Sequence, residues 1–511
     1  MPDDLPKIDR WYSEMLDVHK WSDHQEIKTL CDDLYVLTGL STLDQTGNRK
    51  PKRTAKDCLR VLLLDLYVKW LKDPALAISF SKTKNSYKVG SRYNGLFISE
   101  KIIEVERLLV AHEYIDELRA FHDNTGQGRS YTTRIRHTQK LRDMFSKLTV
   151  ELHDIDTNAN RECVILHDKF VNDPNDDTVK KIDYKDEDLG PDALKLVNML
   201  REQLKSYNKL LKHTFIDIPS YEKPTFTRIV KTKKYGEHKQ IISLGPDNKF
   251  VRRVFNNGLA GNWQRGGRFY GGWWQQIDKG DRKKIYINDK PTLEIDFKAF
   301  HPNLLSNELG VALPDDPYDL GELLLPDILP TPDVQRKYVK LLFLMAINAD
   351  SDKLAFSALR NNDRTDKLGR SLTDAQLSTI LNKIMHTYPH LKGMLNTGQA
   401  LRLMWIDSQI ANLVLDHFTQ KDIPVLCIHD SFIIQYDKEQ EMRSILNQAT
   451  HQVTKYKINL DLKNERDAHK GRVSGNIKGF EKPATLTFFT PKIIKPTKQY
   501  IERKTKFTRQ C

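Results

Sequence analysis

The sequence predicts an α+β protein of several domains, and three observations carry that prediction. The first 150 residues hold apolar stripes at helical spacing. The segment from Thr225 to Ile287 is strand-rich and punctuated by glycine, and short apolar strands then alternate with helices to about Phe480. With 511 residues the chain suffices for several cores at roughly 150 residues per domain.

Composition narrows the class. Hydrophobic residues make up 39% and charged residues 29%. No apolar run reaches the ~18–20 residues of a membrane span, and the segment after Met1 lacks a signal peptide's apolar stretch. The expectation is an intracellular, cytoplasmic or nucleoid-associated protein that is neither secreted nor bound to membrane. The cysteines Cys31, Cys58, Cys163, Cys427 and Cys511 lie far apart, without the CxxC or Cys/His spacing of a zinc ribbon, which favours a reducing compartment. The net charge of +13 admits nucleic acid as partner.

Taken in order, Arg53–Leu71 carries the stripe Leu59, Leu62, Leu63, Leu66 and Tyr67. Ser99 caps an expected helix Glu100–His112 with Ile102, Val105 and Leu109 on one face. Tyr114–Phe121 and Tyr131–Arg136 read as strands joined by a polar turn at Asp123–Gly128. A helix followed by a basic hairpin reads as a winged-helix module over residues 1–150, with Arg129, Arg134 and Arg136 on the wing and Lys82, Lys84, Lys88 and Arg92 in the preceding loop, set to contact duplex DNA phosphates. The bland alternative is a small helical domain with a solvated hairpin. Asn172–Gly190 is acidic and polar, so 151–224 is expected to hold a linker and a helix at Asp192–Lys212. The catalytic body is placed at 225–480. The tail 481–511 is expected to be flexible, since Pro491–Cys511 holds seven Lys or Arg and one acid.

Chemistry concentrates in three segments. Thr292–Pro302 is an apolar strand ending at Asp296 and turning into a helix. Ile423–Tyr436 holds two apolar strands around His429-Asp430-Ser431, which puts Asp430 at a hairpin tip. A carboxylate at the end of a buried strand needs a partner or a metal, and two on adjacent strands suit magnesium ions ~3.5–4 Å apart. The third segment starts a helix at Thr331-Pro332-Asp333 and lines up Arg336, Lys340, Leu344 and Asn348 at four-residue intervals, a surface for a triphosphate and its base. Upstream, Arg265–Gln275 interleaves glycine, arginine and aromatics, which reads as a loop contacting template or nucleotide, with Arg268 and Gln275 as candidates. The bland alternative there is a tight glycine turn with two core tryptophans.

In this order the three segments resemble motifs A, B and C of the single-subunit palm polymerases, the A-family DNA polymerases and the phage-type RNA polymerases. The strand-end Asp of motif A corresponds to Asp296. The Arg-x3-Lys of the motif B helix corresponds to Arg336 and Lys340, while Leu344 and Asn348 replace its aromatic and tyrosine. His429-Asp430-Ser431-Phe432 is similar to motif C of the RNA polymerases, and Asp316-Pro317-Tyr318 resembles the short element between motifs A and B. The resemblance covers roughly residues 266–450. It implies a right-hand polymerase with an antiparallel palm sheet and helical fingers and thumb, two magnesium ions on Asp296 and Asp430 with manganese able to substitute, and a DNA template-primer and nucleoside triphosphates as partners. It implies nucleotide contacts at Arg336, Lys340, His301, Leu344 and Asn348, and primer or template contacts at His429, Arg268, Gln275 and Gln409. His301 stands where the DNA polymerases carry the Glu that excludes ribonucleotides.

The expected activity is DNA-directed DNA synthesis without proofreading, for a mobile-element or phage-like genome, since Asp154-Ile155-Asp156 sits in a polar context that reads as loop. An RNA polymerase or primase, and a non-enzymatic DNA-binding initiator, stay open as alternatives. No Gly-x4-Gly-Lys phosphate loop is present, which argues against an ATPase motor.

Overall fold

The structure, a computed structural model, describes residues 5–44, 54–121, 130–157, 161–169, 179–232, 236–256, 258, 262–362, 365–462, 466–473 and 484–509. Its secondary structure is 47% helix and 17% strand. Apart from two parallel contacts the strand pairs are antiparallel, so the fold is α+β. Among the described residues no helix is long and apolar enough to cross a membrane.

The N-terminal unit begins with β1 (Ser13–Met15), α1 (Gln25–Leu37) and α2 (Ala55–Lys72). Thr54 and Asp57 close a reciprocal capping box at the start of α2. The predicted leucine stripe of α2 is buried, but so are Val61, Leu64, Asp65, Val68, Lys69 and Lys72, because the helix is enclosed on nearly every side. Next come β2 (Ala77–Phe80), α3 (Lys101–Ala111), β3 (Ile115–Leu118) and β4 (Thr133–His137), in the sheet order β1-β2-β4-β3. The helix-then-hairpin pattern is present. The basic wing is not built as expected. Arg129 lies outside the described residues, and Arg134 and Arg136 are buried on β4. Arg134 donates to the Arg10 carbonyl at 2.9 Å and Ser13 Oγ at 2.8 Å, and Arg136 donates to the Pro6 carbonyl at 2.9 Å. β4 is an interior strand between β2 and β3 and is buried along its whole length, and the segment before β1 lies across its arginines and accepts from both of them. Lys82 is taken by Glu106 and Glu117, and Arg92 by Glu162 and Asp186.

One hydrophobic cluster runs from Ile27 to Ile155, and a second from Cys163 to Ile458. The stretch 151–224 is therefore more than a linker. It supplies Asp156–Thr157, a short strand paired with Lys20–Trp21 rather than the expected loop, with Asp156 bound by Lys212. It also supplies β5 (Val164–Leu166), α4 (Pro191–Lys212) and β6 (Ile216–Asp217). Residues 170–178 of the expected linker lie outside the description, while Tyr184 beyond them is buried.

Two sheets frame the second unit, besides the two-stranded pairs Thr225–Thr232 with Gly236–Ser243 and Arg466–Val473 with Ala484–Pro491. β7 (Val251–Phe255) and β8 (Gly266–Gly271) are antiparallel, with β5 added in parallel, in the order β8-β7-β5. Gly271 ends β8 at φ +108°, where a Cβ would lie 2.1 Å from the Phe250 carbonyl oxygen, so no other residue fits. Trp273 and Trp274 are fully buried core, as the alternative reading of a tight glycine turn with two core tryptophans expects. The larger sheet contains β9 (Tyr286–Ile287), β10 (Lys290–Phe297), β11 (Leu426–Ile428) and β12 (Ser431–Gln435), in the order β11-β12-β10-β9-β6. Strand β13 (Leu460–Leu462) pairs with the far end of β10. Around it lie α5 (Phe300–Glu308), α6 (Pro332–Asn348), α7 (Ala400–Thr419) and α8 (Glu439–Thr454), with shorter helices at Asp352–Asn361, Lys367–Ser371 and Asp374–Thr387. Continuous burial over Thr292–Ile295 of β10 and throughout β12 follows from these helices covering both faces of the central strands.

The expected flexible tail is ordered structure over 484–509. β14 (Ala484–Pro491) pairs with Arg466–Val473, and α9 (Lys498–Thr508) docks on the sheet edge. Tyr500, 1% exposed, donates to Asp289 at 2.8 Å and packs on Phe215, while Arg503 pairs with Asp217 of β6 at 2.7 Å. The positive composition suggested a solvated arm, but an apolar pair seven residues apart, Tyr500 and Phe507, gives the helix an inner face. Tyr500→Ala is expected to lower stability by about 3–5 kcal/mol, read as the urea midpoint of the unfolding transition. An unchanged midpoint would mean that α9 contributes nothing to the sheet.

Candidate active site

The two strand-end carboxylates meet. Asp296 on β10 lies opposite Ser431 on β12, so Asp430, the residue before Ser431, stands at the same end of adjacent strands. Directly paired positions of antiparallel strands are about 5 Å apart. Both turns use non-glycine residues in the left-handed region: Ala299 after β10 at φ 42° and His429 at the β11–β12 tip at φ 59°. Such positions cost of order 1 kcal/mol and are held by the surrounding packing, a pattern found where side chains must be aimed. At the hairpin, His429 takes the positive φ that a two-residue turn usually gives to glycine.

The hairpin is braced from β8. Trp274 Nε1 and Gln275 Nε2 donate to the Cys427 carbonyl at 3.2 and 2.8 Å, and Gln275 also reaches the Phe269 carbonyl at 3.1 Å. Gln275, expected at the template, is thus a tie between β8 and the hairpin, because its amide nitrogen satisfies two buried carbonyls. His429 stacks edge-on against Tyr270 at 5.2 Å. Burial, reinforced by the Arg268 charge, pushes its imidazole well below the usual histidine range.

Arg268 belongs to the site through a network the sequence did not reveal. Its guanidinium pairs with Asp407 of α7, with Nε to Oδ2 at 2.8 Å, and Nη2 lies 3.2 Å from His301 Nε2. Burial drives the Asp407 carboxyl upward, but Arg268 and His301 outweigh it and hold the group below the usual carboxylate range. His301 is thereby fixed beside Arg268 at the start of α5. The signal for Asp407 was available in principle, as an acid set within the apolar face of Ile406 and Ile410. Two residues on, Gln409 points roughly 200° away on the helix and lines a cavity of about 630 Å³ with Gln203, Leu304 and Trp405. The structure does not bring Gln409 to the carboxylates.

On α6 the expected cap is present, with Thr331 Oγ accepting from Val334 N at 3.3 Å and Pro332 in the first turn. Arg336 and Lys340 flank the buried Tyr318 ring, at 5.6 and 5.4 Å from its centroid. Arg336 is oriented by Asp316, with Nη2 to Oδ1 at 3.1 Å. Burial raises the Tyr318 hydroxyl; Arg336 opposes the rise, and Asp316, Asp430 and Asp296 add to it. The phenol therefore feels both cation-bearing α6 and the carboxylate pair, and it marks where the two halves of the site face each other. Leu344 and Asn348 continue the same helix face, half-buried.

Two further acids stand near Asp296. Glu294, on the same face of β10, accepts from Ser431 Oγ at 3.0 Å and pairs with Arg282 at 3.2 Å, which ties the two central strands together. Asp461 on β13 lies opposite Asp296 on the other side and is exposed. Among the described residues no three His, Cys, Asp or Glu side chains converge as a ready-made metal cage. The available donor set is carboxylate oxygen from two adjacent strands, and among the described residues Asp430 makes no hydrogen bond or ion pair. A hard cation that keeps several waters and takes its remaining ligands from substrate phosphates fits such a pair.

Compared with known proteins, the chain matches no family model and no curated sequence.

Proposed function

We propose that this chain is a template-directed nucleotidyltransferase of the right-hand polymerase type, most closely a DNA-directed DNA polymerase. The observation that carries the reading is the register of β10 against β12, which sets Asp296 beside Asp430 with the cationic face of α6 across from them. Order of motifs and spatial assembly agree, although 134 positions separate the two acids.

In this reading Asp296 and Asp430 hold magnesium, which when bound activates the primer hydroxyl and steadies the leaving pyrophosphate. Arg336 and Lys340 neutralise the triphosphate, acting as preorganised charge in a site partly shielded from water. Asp316 and Tyr318 keep the Arg336 guanidinium aimed before substrate arrives. Arg268 and Asp407 lock the His301 imidazole at the strand end, where it lies against the sugar of the incoming nucleotide. The β8 brace through Gln275 keeps the His429-Asp430 tip from shifting.

The deciding experiment is incorporation on a primed DNA template with deoxynucleotide and ribonucleotide pools, in magnesium or manganese. Template-dependent deoxynucleotide addition is the expected result. Ribonucleotide addition alone would assign an RNA polymerase or primase, and no addition in any pool would favour a DNA-binding initiator. Arg336→Ala and Lys340→Ala are each expected to raise KM for the nucleotide about 10- to 100-fold, the loss of a charged contact worth ~1.5–3 kcal/mol. An unchanged KM would remove α6 from the nucleotide site.

A further inference from the structure

The β8-β7-β5 sheet has two unlike faces. On one, Arg253 is completely buried, donating to the Gly267 carbonyl at 2.8 Å and to Ser408 and Asn412 of α7 at 3.0 Å. On the other, register places Tyr270 opposite Arg252, and both Arg268 and Ile165 opposite Val254. Alternation puts His167 on that same face, and His167 is bridged to Lys181 on the returning chain. Arg161 joins this group from just before β5, its guanidinium 4.2 Å from the Phe250 ring.

The face is a row of cations interleaved with aromatics. Tyr270 and Arg252 face each other across β8 and β7, while His167 and its bridge partner Lys181 stand beyond them on the β5 side and four residues further along, about 13 Å at ~3.3 Å per residue, so the group runs diagonally over the face. One end is Tyr270, edge-on to His429 beside Asp430, and the other is Lys181, 5.5 Å from the Tyr93 ring of the N-terminal unit. Among the described residues neither Arg252 nor Lys181 has a carboxylate within ion-pairing distance, and Arg161 has only Asp17 at 3.9 Å. Burial lowers the proton affinity of Arg252, and the neighbouring Arg161 lowers it further. Like charges gathered with so few counter-charges are destabilising unless an anion lies among them. A lone phosphate would satisfy one end of the row, whereas a row of this length with ring faces along it suits a strand of linked phosphates and stacked bases.

We infer that this face is a track for single-stranded nucleic acid, leading from the Asp296–Asp430 pair to the junction with the N-terminal unit. Its direction rests on the polymerase reading, and its chemistry does not. Arg252 and Lys181 contact backbone phosphates, and Tyr270 stacks a base next to the hairpin tip.

The test is fluorescence anisotropy of labelled single-stranded oligothymidylate and oligouridylate with the full chain, over a series of salt concentrations. Lys181→Glu and Arg252→Gln are each expected to weaken binding, and together by at least about tenfold. The double variant should lower the log–log salt slope by about 1.4, from ~0.7 per phosphate on a single strand. Lys181 is exposed, so its variant keeps the test valid should Arg252→Gln disturb folding, and thermal midpoints check both. Wild-type affinity and slope in the Lys181→Glu variant and in a folded double variant would overturn the track. So would absence of strand binding, or displacement of the strand by inorganic pyrophosphate at an affinity equal to the strand's own. Strand binding by a protein that incorporates nothing would retain the track while the enzymatic reading falls, and incorporation unaffected by salt-sensitive loss of strand binding would do the reverse.

Discussion

Asp430→Asn is expected to abolish templated incorporation, with a loss of at least about a thousandfold, and to leave the fold intact. A metal held by two carboxylates supplies several kcal/mol of transition-state charge stabilisation, and ~4 kcal/mol corresponds to that factor. The substitution keeps shape and removes only charge. Among the described residues Asp430 makes no hydrogen bond or ion pair, so the thermal midpoint should hold within error. Asp296→Asn is expected to lose incorporation by the same factor. Asp461→Asn, exposed on the far neighbour of β10, is the comparison, with an effect under about tenfold. Equal losses in all three variants would point to a shared structural cause, and full incorporation by Asp296→Asn or Asp430→Asn would remove that residue from catalysis.

The largest stability effect is expected at Asp65, fully buried in α2. It pairs with Lys20 at 2.8 Å and Lys69 at 3.4 Å and accepts from the Asp17 backbone N–H at 3.1 Å. Lys72 carries the network on to Asp247 of the second unit at 2.6 Å. Asp65→Ala leaves two buried ammonium groups under-compensated, and removing one partner of such a network costs about 3–5 kcal/mol. The pH profile follows from the same groups. Burial pushes the Asp17, Glu14 and Asp247 carboxyls upward, but the neighbouring lysines outweigh it and hold all three below the usual range. Their contribution is present above the ordinary carboxylate value near 4 and is lost as pH falls toward the depressed folded values. Lys20 and Lys69 are raised despite burial, by Asp65 foremost, so their contribution is complete below about 10.4 and is lost above it. Urea midpoints should therefore be flat across neutral pH and fall on the acid side. A loss under 1 kcal/mol in Asp65→Ala would show that the lysines find water instead.

The two acids of the site were legible because each ends an apolar run, where a charge is costly to bury and its presence demands a reason. The cap of α6 and the leucine stripe of α2 were legible for similar local reasons. What escaped was everything decided between distant segments. Arg134 and Arg136 look like wing cations until the chain around Pro6 and Arg10 lies across them and takes up their guanidinium groups. Gln275 looks like a template contact until the Cys427 carbonyl is found 2.8 Å away. Asp407 acquires its role only when α7 is laid against β8, across 139 residues of sequence. Charge composition misled at the C-terminus for the same reason, since two aromatic residues outweighed seven cations once a sheet edge was available.

The interleaving of the larger sheet also constrains how the protein is made. Strand β12 inserts next to β10 only after the chain has been synthesised past residue 435, and α9 reaches the β6 edge later still. Pairings this remote in sequence form slowly, because a long loop must close before any contact stabilises it. At roughly 5–20 residues per second the ribosome exposes the earlier strand for seconds to tens of seconds before its neighbour exists. The N-terminal unit, whose core is drawn from Ile27 to Ile155, can fold in that interval, so the paired acids come together after that unit is in place.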